Sequence, residues 1–137
     1  MAKPKDEAFA ADYINVDLEV RSRTNLRPLA DALSRRLVPL HVGGSRGNFL
    51  ATFENGAGAT KTGTPDLAIM RLVHAIDRLS PAIRSHWTKA RDRVFDIGVA
   101  KANGSKVLQL GLRTATVEAI VRLKARVALS FYPPYYP

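Results

Sequence analysis

Residues 13–20, YINVDLEV, set Ile14, Val16, Leu18 and Val20 in strict alternation with Tyr13, Asn15, Asp17 and Glu19. Side chains of a strand point alternately to opposite faces, so this period of two predicts a half-buried β-strand with one apolar and one polar face. Working outward, Leu26, Leu29, Ala30, Leu33 and Leu37 follow the i, i+3, i+4 spacing of an amphipathic helix. Thr24 or Asn25 is available as its cap, Pro28 falls in its first turn, and Arg35 and Arg36 suit its C-terminus. Pro39 is expected to end that helix, because proline cannot continue one. A short strand over 40–42, the glycine-rich loop 43–47 and a strand NFLATFEN over 48–55 then read as a hairpin with a longer loop.

After a second loop at 56–63, Thr64, Pro65 and Asp66 stand in the order cap, first-turn proline, first-turn acid. Ile69, Leu72, Val73, Ile76 and Leu79 supply the buried stripe of the helix they begin. Ser80 and Pro81 repeat the start signal for a shorter helix to about residue 90. Phe95, Ile97 and Val99 alternate along 93–101, and Asn103-Gly104 predicts a hairpin turn into a strand over 107–112. Thr114 is expected to cap a helix to about residue 125, with Val117, Ile120 and Val121 inward, before a last strand through Val127, Leu129 and Phe131. The order β-α-β-β-α-α-β-β-α-β, with its hairpins, favours an α+β fold. A mixed, mainly antiparallel sheet would carry helices on one face, unlike a doubly wound parallel sheet. Residues 1–12 are expected as a flexible segment, 13–132 as one domain and 133–137 as a Pro/Tyr tail.

Four of these stretches, YINVDLEV, TPDLAIMRLVHAIDRLSP, FDIGV and TVEAIVRLKARVALSFYP, resemble the DUF4279 type of uncharacterised bacterial domain over about residues 13–132. A tryptophan of that pattern is missing between Leu26 and Asn55. The resemblance implies the α+β fold and, through relatives discussed as immunity proteins, a protein-binding role. It brings no catalytic residues and no cofactor.

The formal charge of +9 is unevenly spread. Residues 1–68 hold 9 Lys+Arg against 8 Asp+Glu (net +1), and residues 69–137 hold 12 against 4 (net +8). Such a field favours an anionic partner and speeds encounter with it. The chain has no cysteine, which removes disulfides and thiolate chemistry and suits a reducing, cytoplasmic setting. No stretch approaches the ~18 apolar residues of a membrane span, and the N-terminus lacks a signal-peptide core.

Two groups of residues are candidate sites. Arg84, Trp87, Lys89, Arg91 and Arg93, with His86 among them and Arg46 at the tip of the glycine loop, form a basic surface for a partner. Basic side chains interleaved with an aromatic ring suit nucleic acid as well as an acidic protein; alternatively Trp87, four residues from Ile83, is a core anchor. Asp17 and Glu19, with Asn15 on the same strand face and Asp96 on the like face of the FDIG strand, would form an acidic site for proton transfer or a hard cation if the two strands are neighbours. Alternatively these acids pair with Arg21, Arg23 or Arg93 on a solvated or helix-covered sheet face. His41, His74 and His86 have no zinc-ligand spacing, and GGSRGN leads into a strand where a phosphate-cradling loop needs a helix. The sequence thus points to a non-enzymatic domain binding an acidic protein, with nucleic-acid binding and acid–base catalysis as the alternatives.

Overall fold

The computed structural model describes residues 13–56, 63–100 and 109–133. The elements are β1 (Tyr13–Ser22), α1 (Arg27–Leu33), β2 (Leu37–Ser45), β3 (Asn48–Asn55), α2 (Pro65–Asp77), α3 (Pro81–Lys89), β4 (Asp92–Ala100), α4 (Thr114–Arg122) and β5 (Arg126–Tyr132). One mixed sheet has the strand order β2-β3-β1-β4-β5, antiparallel except for the β4–β5 pair. The α+β class expected from the sequence is the class observed.

The first strand lies at the centre because its apolar face is continuous. Val16, Leu18 and Val20 are fully buried beside Ala51 and Phe53 of β3 and Phe95, Ile97 and Val99 of β4. Ile69, Leu72, Val73 and Ile76 of α2 and Leu29 and Leu33 of α1 join the same core, so the helices cover one face of the sheet and leave the other open. The α2 start has the expected chemistry: the Thr64 hydroxyl accepts from the Leu67 N–H at 3.2 Å, and Asp66 sits in the first turn. Asp66 has a second role, since its carboxylate accepts the Arg113 N–H at 2.9 Å and ties the start of α4 to the start of α2.

Several expectations are corrected. The first helix ends at Leu33, four residues early: the Ser34 hydroxyl donates to the Ala30 carbonyl, and Leu37 opens β2 instead of extending the helical stripe. Asn25 accepts the Arg27 N–H at 2.8 Å one residue outside the Leu26 cap position, so it serves the helix start indirectly. Pro39 lies inside β2, which is tolerated because β2 is an edge strand. The glycine-rich loop is a tight turn: Ser45 pairs with Asn48, and Arg46 (φ +53°) and Gly47 (φ +77°) are its two central residues, both with the positive φ a type I′ turn requires. Gly44, at φ +125°, is in the strand itself, where any Cβ would run into the Asn48 carbonyl oxygen.

Among the described residues the second hairpin has no second strand. Strand β4 has β1 on one side and β5 on the other, so no edge remains for a further partner, and residues 109–112 of the expected strand carry no regular structure. Asn103-Gly104, the start of that strand, the loop 57–62, residues 1–12 and most of the tail lie outside the described residues. Helix α4 starts with Thr114 as its first residue, not its cap, and buries Thr116, Ala119 and Ile120, with Leu123 just beyond. Val117 and Val121, expected inward, are 44% and 68% exposed. Its end is a Schellman cap: Lys124, at φ +55°, donates to the Val121 carbonyl, and Ala125 donates to that of Ile120. Among the described residues no helix is long and apolar enough to cross a membrane.

Candidate functional sites

The open face of the sheet carries the acidic residues. Asp17 and Asp96 are direct cross-strand partners in the β1–β4 register, the neighbour relation on which the acidic site depended. The β1–β3 register, Leu18 opposite Phe53, continues so that Glu54 flanks Asp17 on its other side. Glu54, Asp17 and Asp96 therefore form one row across three strands, with Glu19 two residues along β1. Facing side chains in such a row lie ~5 Å apart and like charges repel. The Asn15 amide relieves part of this repulsion by donating to Asp17 (3.3 Å) and Glu54 (3.1 Å), and the Ser130 hydroxyl of β5 donates to Asp96 at 2.7 Å. A cavity of about 260 Å³, lined by Asn15, Asp17, Glu54, Asp96, Gly98 and Tyr132, stands over the row.

Burial first, then the carboxylates of Glu54, Asp96 and Glu19, push the Asp17 carboxyl up from 3.8 to about 6. A carboxyl titrating there can give or take a proton near neutrality, and the row can receive a cationic group. Among the described residues no group of three or more His, Asp or Glu side chains is arranged to hold a metal ion. The pairing with Arg21, Arg23 or Arg93 suggested by the sequence is not what holds these acids. Arg93 points to the helix-covered face, in register with Val20, and the open-face ion pair is Arg126 with Asp92 at 2.9 Å, which lowers the Asp92 pKa. Glu54 and Ser130 were not legible as members of the site, because only the pairing of distant strands brings them there.

The raised Asp17 pKa has a stability consequence of definite sign. The folded state binds this proton more tightly than the unfolded chain, so its stabilisation is complete below pH 3.8 and is lost as pH rises through about 6. At ~1.36 kcal/mol per pH unit the full change is about 3 kcal/mol, which solvent screening of a half-exposed group reduces to about 1 kcal/mol. Asp17→Asn is therefore expected to be more stable than the parent by about 1 kcal/mol at pH 7.5, the advantage shrinking toward pH 4.5. Urea midpoints at the two pH values measure this; parallel pH profiles for the two proteins would refute it.

The basic stretch divides into two sets. Trp87 is 3% exposed, and its indole N–H donates to the Leu123 carbonyl at 3.1 Å, so the core-anchor alternative describes it. Arg93 donates to the carbonyls of Trp87 (3.0 Å), Ala90 (2.7 Å) and Lys124 (2.9 Å), and Arg84 donates to the Asp77 carbonyl at 3.0 Å. These three are internal fasteners. Lys89, Arg91 and Arg46 are exposed, and the topology gathers them. The end of β1, the β2–β3 turn and the starts of β4 and β5 all lie at one end of the sheet. Arg23, Arg46, Lys89, Arg91 and Lys124 therefore crowd that end. Arg91 is pinned there by its N–H on the Arg21 carbonyl (2.8 Å) and its guanidinium on the Asn48 side chain (3.4 Å). Of the histidines, His41 and His74 are exposed and His86 is half-buried, on three separate elements; His74 does not join the apolar stripe of α2. The chain matches no protein-family profile, no curated protein and no solved structure.

Proposed function

We propose that the protein is a non-enzymatic binding domain that engages an acidic protein through the cationic end of its sheet, in the manner of an immunity protein, within a reducing, cytoplasmic compartment. The observation that carries this reading is the gathering of Arg23, Arg46, Lys89, Arg91 and Lys124 on strand ends, helix ends and the β2–β3 turn, with no carboxylate ion pair formed by any of them among the described residues. Cations fixed by a scaffold lose little entropy on meeting carboxylates and steer a partner of opposite charge. The weak likeness to the DUF4279 type supports the same role. Nucleic acid is a less favoured partner, since burial of Trp87 removes the aromatic platform on which a base would stack.

The double charge reversal Arg46→Glu, Arg91→Glu is expected to weaken capture of an acidic partner by about tenfold or more, mainly in the association rate, with thermal stability little changed. Pulldowns at two salt concentrations, with and without nuclease, test it. Loss of the captured species on nuclease treatment would transfer the assignment to nucleic acid, and equal capture by the variant would remove this surface from consideration. A second reading, acid–base chemistry on the open face, rests on the Asp17 carboxyl near pH 6 beneath its cavity. It requires that Asp17→Asn abolish a turnover that Arg46→Glu leaves intact.

A further inference from the structure

A separate cavity of about 220 Å³ opens where three chain segments meet: Ala32 and Leu33 with the turn residues Arg35 and Arg36, Ala75 with Arg78 and Leu79, and Ser80 with Ile83. Its lining includes three arginines and no acid. The acids close to them in sequence are already engaged: Asp31 pairs with Arg27, and Asp77 takes the Arg122 guanidinium at 2.9 and 3.0 Å and Arg84 at 3.9 Å. Among the described residues the side chains of Arg35, Arg36 and Arg78 make no hydrogen bond or ion pair. The backbone beneath them is nevertheless fixed, with Arg36 N–H on the Leu33 carbonyl (3.0 Å) and Leu79 N–H on that of Ile76 (3.1 Å). Three permanent cations thus share the wall of one small concavity, and an anion there would be attracted by each of them.

We propose that this cavity binds a small phosphate monoester. A carboxylate has two oxygens and satisfies at most two planar guanidinium forks, whereas a phosphate dianion offers oxygens to all three. Apart from Ser80, whose hydroxyl accepts the Ile83 N–H, the remaining wall of Ala32, Leu33, Ala75, Leu79 and Ile83 is apolar and fits a short carbon body on the ester oxygen. The volume lies below the ~300–1,000 Å³ of sites for drug-sized ligands, which favours a body of a few carbons over a nucleotide. The arginines are distinct from those of the cationic sheet end, so this site stands or fails independently of the partner surface.

Titration calorimetry of the full chain with glycerol phosphate, inorganic phosphate and acetate at constant ionic strength tests the proposal. Glycerol phosphate is expected to bind saturably and more tightly than inorganic phosphate, with acetate silent. Arg78→Gln and Arg36→Gln should each weaken glycerol phosphate by about tenfold or more, as loss of a charge-assisted fork implies. Arg78→Lys should recover only part of that loss, and Arg113→Ala, outside the cavity, should bind as the parent does. Equal binding of ester and free phosphate would overturn the ester assignment. Absence of saturable binding by both, or an equal loss in Arg113→Ala, would overturn the site itself.

Discussion

Trp87→Ala is expected to destabilise the fold by about 3–5 kcal/mol, the range for removing a large aromatic side chain from a core. The indole is 3% exposed between α3 and the end of α4, so its loss leaves a cavity that the surrounding chain fills only in part. It also leaves the Leu123 carbonyl without the N–H that now reaches it at 3.1 Å. Trp87→Phe separates the two effects: much of the ring volume stays, the donor goes, and a loss of about 1–2 kcal/mol is expected. Because Trp87 is the only tryptophan, unfolding in urea should be followed by circular dichroism, with the m-value watched to confirm a two-state transition. A Trp87→Ala protein as stable as the parent, but defective in binding, would return Trp87 to the interaction surface. The structure instead makes any binding defect in that variant a consequence of unfolding.

The contrast between Trp87 and Arg46 shows which physical signals are legible in a sequence. Period-two and period-3.6 patterns reveal which faces are apolar, so β1, β3, α2 and α3 were expected close to where they stand. Neighbour relations were expected only where a turn signal declared them. The alternation of Asp17 and Glu19 gave a polar strand face, but its meaning depended on the strand beside it. With Asp96 directly opposite and Glu54 on the other flank, the face is a carboxylate row in which Asn15 and Ser130 share the repulsion. Strand order also explains why residues 109–112 do not pair with β4: both of its edges are taken, by β1 and by β5.

Misreadings in the last third of the chain have a related cause. In 114–125 the apolar residues fit two stripes, and periodicity alone favours the one with Val117 and Val121. The docking of α4 against α2, fixed by Asp66 on the Arg113 N–H, selects Thr116, Ala119, Ile120 and Leu123 instead. Likewise, Leu33 and Leu37 are spaced for one helix, and only the turn at Ser34 sends Leu37 into a strand. In sequence Arg35 and Arg36 suit a helix end and Arg78 carries no signal, because their place on one 220 Å³ cavity is a property of three segments packed together.

Arg93→Ala is expected to cost about 2–3 kcal/mol, well above the ±0.5 kcal/mol usual for a surface arginine. Two helices end at this point: α3 presents the carbonyls of Trp87 and Ala90, and the cap of α4 presents that of Lys124. Each helix end carries partial negative charge and carbonyls without helical partners, which a cation between them satisfies. Arg93 does this with a guanidinium fork spanning both ends, and its Cζ lies 5.9 Å from the centre of the Trp87 ring, within range of a cation–π contact. Lysine has the charge but not the planar fork, so Arg93→Lys should recover less than half of the loss. Arg93 and Trp87 bind the same two helix ends, hence the double variant Arg93→Ala, Trp87→Phe should cost less than the sum of the single changes, by at least about 0.5 kcal/mol. Denaturation midpoints of the four proteins measure that coupling. Strict additivity, or an Arg93→Ala protein of parental stability, would mean that Arg93 is a free surface cation, and it would then join Arg91 and Lys89 among the residues available to a partner.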